Sequence, residues 1–278
     1  MDRPHRSPVP LFASALAALL LPAGLSAQNP APGNRPPDPG SDVPVPVPTV
    51  DWTSEAELGA SLFFGNTAQA LILTRTGTAA ETAHFTFATD ASFQYGEASE
   101  PSGERDVSRR SWAAETTLDY RGHDVISSFL HSQLEGSYEK RIDLRVRAGV
   151  GARIQMADSE RTKAGVRLAV LAERTDPRLE EQIDPVRTVA RGSIELNLQR
   201  RVGDEDRVRL SNNTSYGPRV GRFEDYTMKS VTSAAFRVSE TLHLKLSFVD
   251  SFDSGARNRG ARSNNDGELV LSLTTTFR

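Results

Sequence analysis

The chain has 278 residues, with 33 Lys and Arg against 36 Asp and Glu, and no cysteine. The near-balance of charge gives no electrostatic argument for a nucleic-acid partner, and the lack of cysteine excludes disulfides, thiolate metal sites, a cysteine nucleophile and a lipidated N-terminal cysteine. A mean hydropathy of −0.43, with no later apolar run near the ~18 residues that span a bilayer as a helix, excludes a helical membrane bundle but not a membrane β-barrel, whose strands show only half their residues to lipid.

The first element in chain order is an address. Arg3 and Arg6 precede an apolar core, Leu11 to Leu21, and a small-residue exit at Gly24, Ser26 and Ala27. This is the pattern of a secretory signal peptide over residues 1–27. Its removal leaves 31 basic and 35 acidic residues, a net charge of −4. Residues 28–50 carry eight prolines. Such a segment cannot pack a core and favours extended polyproline II, so it reads as a spacer on the exported side.

From Asp51 onward the chain alternates. Ile142, Leu144, Val146, Ala148, Val150, Ala152, Ile154 and Met156 share one face of a strand, and Asp143, Arg145, Arg147, Gly149, Gly151, Arg153 and Gln155 the other. A period of two means strand, because a helix would smear both sets around its axis. Similar runs predict about twelve strands: 52–64, 68–77, 82–96, 110–120, 125–138, 141–156, 161–173, 186–200, 206–216, 226–238, 241–253 and 267–278. The second is the least regular, because Leu71, Ile72 and Leu73 interrupt its alternation. No helix of ordinary length has a place in this map.

The fold class expected is therefore all-β, an antiparallel up-and-down transmembrane barrel over residues 51–278. Alternation alone does not say which face meets water. Four features favour apolar-outward. Connections after even strands are short, whereas 97–109, 174–185, 217–225 and 254–266 are long and polar. Aromatic residues stand at strand ends, with Trp112 and Tyr120 bracketing the fourth strand about 20 Å apart along a membrane normal. Twelve strands enclose an interior too wide for Ala, Val and Leu to fill. The chain is also exported. The partners implied are outer-membrane lipid and the machinery that inserts barrels, with no nucleic acid and no specific protein partner. The location implied is the cell outer membrane.

Two segments carry a family likeness. Leu58-Gly59-Ala60-Ser61-Leu62-Phe63-Phe64-Gly65-Asn66-Thr67, preceded by Trp52 and Glu57, resembles the opening motif of the YdiY-like salt-induced outer-membrane proteins, a family of unknown function. Arg147 to Arg153 resembles that family's glycine-repeat strand. The resemblance implies an outer-membrane barrel and transfers no catalytic residues. Phe277 is followed by Arg278, whereas barrels of this kind usually end on the aromatic residue.

Residues that could carry chemistry are few. His131 shares a polar face with Gln133 and Glu135, and His243 shares one with Lys245 and Ser247. Either could be drawn as an acid–base or nucleophile–base pair, but neither shows an orienting group, so a polar lumen network is the simpler reading. His123 falls in a short turn. Asp176, Glu180, Glu181 and Asp184 have no regular metal spacing. Gly65-Asn66 reads as a tight hairpin turn. No cofactor or catalytic residue is expected. Gly149, Gly151 and Gly165 on the inward face would allow backbone curvature or room for a facing arginine, or widen the lumen locally.

The inward face is unevenly charged. The first five strands present Glu115, Asp119 and Glu135, with Glu55, Glu57, Asp90 and Glu139, against Arg75. Later strands present Arg145, Arg147, Arg153, Arg167 and Arg191 among other bases, against Asp143, Glu173 and Glu195. Glu115, Asp119, Glu135 and these five arginines are the lumen-lining candidates. Two states are open: walls held apart across water as a field, or side chains meeting as an ion-paired plug. The function expected is a narrow passive channel for ions or small polar solutes, or a structural envelope component. The alternatives are an outer-membrane hydrolase or acyltransferase, and a soluble exported barrel holding a small ligand.

Overall fold

In the computed structural model the described residues are 50–63, 69–99, 105–123, 125–177, 187–203 and 207–277. The expected export signal and almost all of the proline-rich segment lie outside them. So do Gly65-Asn66, Glu180, Glu181, Asp184 and Arg278.

Twelve strands follow one another: β1 Asp51–Phe63, β2 Gln69–Glu81, β3 Phe85–Ser99, β4 Arg105–Tyr120, β5 Ile126–Ser137, β6 Ile142–Asp158, β7 Thr162–Pro177, β8 Arg187–Val202, β9 Val208–Arg219, β10 Arg222–Arg237, β11 Leu242–Asp253 and β12 Asn265–Phe277. Each pairs antiparallel with its sequence neighbours. β1 closes on β12 through seven register pairs, from Ser54 with Phe277 to Ala60 with Leu271. Closure leaves no edge strand, so every strand has a hydrogen-bonded neighbour on both sides. We call the end at which β1 starts and β12 finishes the terminal end, and the opposite one the distal end.

Side chains sort as the alternation predicts. Trp112, Tyr120, Leu130, Leu168, Val170, Leu196, Leu271 and Phe277 are exposed on the outer surface, whereas Asp119, Arg145, Glu173, Arg191, Asp253 and Ser272 are buried. Apolar outside and charged inside reverses the soluble pattern, and it is the distribution a membrane-spanning barrel requires. Aromatics crowd near both ends of the outer face. Phe85 packs against Tyr120 with tilted rings near the terminal end, and Tyr216, Tyr226 and Phe252 form a continuous contact near the distal end. In β2, Leu71 is buried and Ile72 exposed, so the interrupted alternation still resolves into two faces.

Three expectations need correction. Segments 97–109 and 217–225 are not long loops: β3 reaches Ser99, β4 begins at Arg105, and only Val220 and Gly221 separate β9 from β10. β7 likewise continues to Pro177. Polar composition marks where the wall leaves the apolar band, not where pairing ends, since strands keep their ladder bonds in water as well as in lipid. Second, an irregularity in register between Ile142 and Leu144 inserts Asp143 into β6. Asp143 is exposed and Ile142 buried there, the reverse of the parity that holds from Leu144 onward. Third, Gly149 and Gly151 do not widen the lumen. A Cβ on Gly149 would meet the Val170 carbonyl oxygen at 2.1 Å, and one on Gly151 would meet the Phe129 ring at 2.5 Å. Neighbours already fill the space those side chains would need.

Candidate functional site: the charged lumen

At the distal end the two walls meet. Arg145 stands three residues into β6. Its Nη1 donates to Glu135 Oε1 on β5 at 2.8 Å, its Nη2 to Asp253 Oδ2 on β11 at 2.7 Å and its Nε to Thr175 Oγ1 on β7 at 3.0 Å. The side chains of Arg145, Asp253 and Glu173 are each only 3% exposed. Glu173, near the end of β7, accepts from Arg147 Nε and Arg191 Nε, both at 2.7 Å, one on each oxygen. Arg147 also donates to Gln133, and Arg191 reaches Asp225 Oδ1 on β10 at 2.9 Å. Each charged group thus has opposite charge on more than one side, the condition under which buried ions are tolerated.

The connection between β11 and β12 completes this layer. Residues 254–264 hold one 3₁₀ turn, Arg257–Arg259, capped by Gly260 in the left-handed region at φ 85°. The turn carries Arg259 inward. Its Nη2 donates to Asp253 Oδ2 at 2.8 Å and its Nε to the Lys140 carbonyl at 3.2 Å. Ala256 and Ala261 are buried beside it. Lys140, in the turn between β5 and β6, donates to Ser251 on β11. Burial pushes its ammonium below the ordinary lysine value, against the pull of Glu135 and Asp253. Arg109 on β4 bridges Glu139 at 3.1 Å and Glu268 on β12. Between Arg145, Glu173, Arg191, Asp225 and Arg259 there remains a cavity of about 20 Å³, room for roughly one water molecule.

Nearer the terminal end the lumen holds further pairs. Arg167 pairs with Asp119 at 2.9 Å and lies over the Phe129 ring at 4.9 Å. Lys245 Nζ reaches Glu57 Oε2 at 2.8 Å, and Ser272 donates to the other Glu57 oxygen. Arg75 and Asp90 pair at 2.9 Å with side chains 47% and 45% exposed, so water reaches this height.

The eight lumen candidates therefore divide. Arg145, Arg147, Arg191 and Glu135 belong to the distal layer. Arg167 and Asp119 pair with each other. Arg153 donates to Gln155 at 2.9 Å, and Glu115 lies 3.6 Å from His131. That carboxylate, rather than Glu135 on its own strand, is the one nearest His131, and the separation is too long for a good hydrogen bond. Asp253, Asp225 and Arg259 were not among the candidates. Extending the parity of His243, Lys245 and Ser247 up β11 would have put Asp253 inward; nothing in the sequence marks Arg259. Among the described residues no group of three His, Asp or Glu side chains could hold a metal ion.

A closed antiparallel wall, apolar outside and charged within, defines a transmembrane β-barrel. The chain belongs to the family described as protein of unknown function, DUF481, whose pattern matches residues 56–277, in agreement with the YdiY-like likeness of its opening motif. No curated protein matches it. Among solved structures it is similar to the NanC porin, at 8% identity and a TM-score of 0.48 over 81% of this chain and 99% of that one. It is also similar to the translocator domain of the autotransporter NalP from Neisseria meningitidis, at 10% identity and 0.43 over 82% and 88%. A third is an outer membrane channel from Pseudomonas putida F1, at 11% identity and 0.41 over 87% and 99%.

Proposed function

We propose that the protein is a narrow passive channel of the outer membrane for ions or small polar solutes, held closed at its distal end by side-chain ion pairs. Residues 1–27 direct export and residues 28–50 form a spacer on the periplasmic side. The barrel-inserting machinery places strands 51–278 in the membrane with the terminal end periplasmic and segment 254–264 outside. One observation carries the reading. The lumen carries ion pairs at several heights and is water-exposed around Arg75 and Asp90, while the distal closure is held by ion-paired side chains and one inserted turn. Such a closure can rearrange without breaking the wall. Arg145, Arg147, Arg167 and Arg191 all face carboxylates, so the closed lumen has little ground for the anion preference that unpaired arginines would give. A hydrolase or acyltransferase reading gains no support, because His131 and His243 stand on separate strands, β5 and β11.

Planar-bilayer recording tests the proposal. The wild type should show low conductance with rare openings, and Asp253→Asn should raise the open fraction. If neither conducts, the barrel is a structural component of the envelope.

A further inference from the structure

On the outer surface β9 and β10 carry a compact group of polar side chains where lipid is expected, apart from the row of hydroxyls that runs from Ser54 through Thr78, Thr89 and Thr116 on β1 to β4. On β9 the outward positions read Val208, Leu210, Asn212, Thr214, Tyr216, and on β10 they read Met228, Ser230, Thr232, Ala234, Phe236. Exposure of Leu210, Met228 and Phe236 fixes this face as the outer one. The inward neighbours confirm it: Ser211 bonds Ser233, and Asn213 bonds Glu195 and Asn197, all within the lumen wall. Asn212 stands opposite Thr232, and Thr214 opposite Ser230. Leu210 and Phe236 lie on one side of this quartet, and Tyr216, Tyr226 and Met228 on the other. The four polar residues therefore sit inside the apolar band, not at its rim.

Their bonds are mutual. Asn212 Nδ2 donates to Thr232 Oγ1 at 2.9 Å, Thr214 Oγ1 donates to Asn212 Oδ1 at 3.1 Å, and the Thr214 and Ser230 hydroxyls lie 2.9 Å apart. In this arrangement Thr232 accepts a hydrogen bond and its own hydroxyl proton is left to give. Asn212 Oδ1 keeps a second lone pair. Acyl chains can take neither, so facing them to lipid forfeits both bonds.

We propose that this quartet is the centre of a two-fold interface between two copies of the barrel within the membrane. A two-fold contact needs a self-complementary patch, in which residue i meets j and j meets i. Hydroxyls and carboxamides meet that need because each both donates and accepts, whereas a patch of one charge would repel its own copy. Thr232 gives its proton to Asn212 of the second copy, and the reciprocal bond follows by symmetry. Ser, Thr and Ala at the centre are short enough for two walls to approach closely, as small residues allow between membrane helices. Leu196 and Leu198 on β8 and Leu246 and Phe248 on β11 are exposed on either side and would form an apolar rim.

Sedimentation equilibrium of protein purified from membranes, in density-matched micelles, tests the proposal. The wild type should sediment as a dimer. Asn212→Leu with Thr232→Val should weaken association by at least about tenfold, the scale of losing several intramembrane hydrogen bonds. The same change makes the lipid face more apolar, so the barrel should fold at least as well, seen as retained heat-modifiable gel migration. In lipid vesicles, Ala234→Cys should be cross-linked by a bis-maleimide, and Val150→Cys on β6 should not; the chain has no other thiol. A monomeric wild type, a variant that associates as tightly as the wild type, equal cross-linking at both sites, or stoichiometric capture of a different protein in place of a second copy would each overturn the interface.

Discussion

Arg145 and Asp253 join opposite walls of the barrel. Their strands, β6 and β11, are five apart by the shorter way round, yet Nη2 and Oδ2 lie 2.7 Å from each other. The same Asp253 oxygen takes the Arg259 guanidinium at 2.8 Å. One carboxylate therefore fastens the far wall and the inserted turn together.

Asp253→Asn should accordingly do two things. It leaves two buried guanidiniums short of a counter-charge, which costs about 3–5 kcal/mol when one partner of a buried pair is lost. It also releases Arg259. Urea titration of the barrel in micelles should show the destabilisation, and single-channel recording should show longer openings. In an Arg145→Met background the same substitution should cost less, because one stranded cation is gone. Equal costs in both backgrounds would mean that the pair is not coupled.

Arg147→Ser with Arg191→Ser acts on the opposite sign. Both arginines hold Glu173, one on each oxygen. Their loss leaves that carboxylate with only Arg145, 3.8 Å away and shared with Glu135 and Asp253. Conductance should rise, and the reversal potential in a salt gradient should move toward cation selectivity. A shift toward anions would contradict the placement of Glu173 in the distal charged layer.

Orientation in the membrane can be tested at two exposed residues. Asn258, in the 254–264 segment, and Ser159, in the turn between β6 and β7, are exposed at opposite ends. With the distal end outside, a lone cysteine replacing Asn258 should react with an impermeant maleimide on intact cells, and one replacing Ser159 should react only after the outer membrane is opened. The reverse pattern would invert the barrel.

The wall was legible in the sequence because strand parity is local. The face of Arg145, Arg191 or Leu271 follows from its neighbours two residues away. What parity lacks is height. In a tilted, staggered barrel, residues that meet across the lumen share no position in any local pattern, so Arg145 with Asp253 and Arg109 with Glu268 emerge only once the registers close. Parity also fails where a residue is inserted: Asp143 is exposed and Ile142 turned in, although their composition continues the alternation. The outward quartet on β9 and β10 escaped notice for a simpler reason. Asn212 and Asn213 are polar on both faces, which reads as a weak strand rather than as a polar patch on lipid.

Gly149 tests how tightly the wall is built. A Cβ there would lie 2.1 Å from the Val170 carbonyl oxygen and 2.7 Å from Leu171 Cδ2. The backbone of β7 would have to move, so Gly149→Ala should destabilise by about 1–3 kcal/mol, the usual cost of overpacking. At Gly165 the nearest atoms are 3.1 and 3.7 Å away, and Gly165→Ala should cost distinctly less. Chemical denaturation of the two variants side by side gives the comparison, and equal costs would argue against the close approach of β6 to β7.

The membrane itself can be tested at Val150. It lies midway along β6, between Leu130 on β5 and Val170 on β7. The three are 59%, 53% and 62% exposed. In water, Val150→Arg would be a surface substitution worth within about 0.5 kcal/mol. At the midplane of a bilayer the same arginine costs about 2–4 kcal/mol, and the cost falls to about 0–1 near the interface. Met156, nearer the terminal end of the same strand, is also exposed. Guanidinium titration of the barrel in phospholipid vesicles should therefore show a large loss for Val150→Arg and a small one for Met156→Arg. The two substitutions place the same charge on the same strand and face, so the difference between them isolates depth. If both are small, the apolar band does not face hydrocarbon and the membrane reading fails.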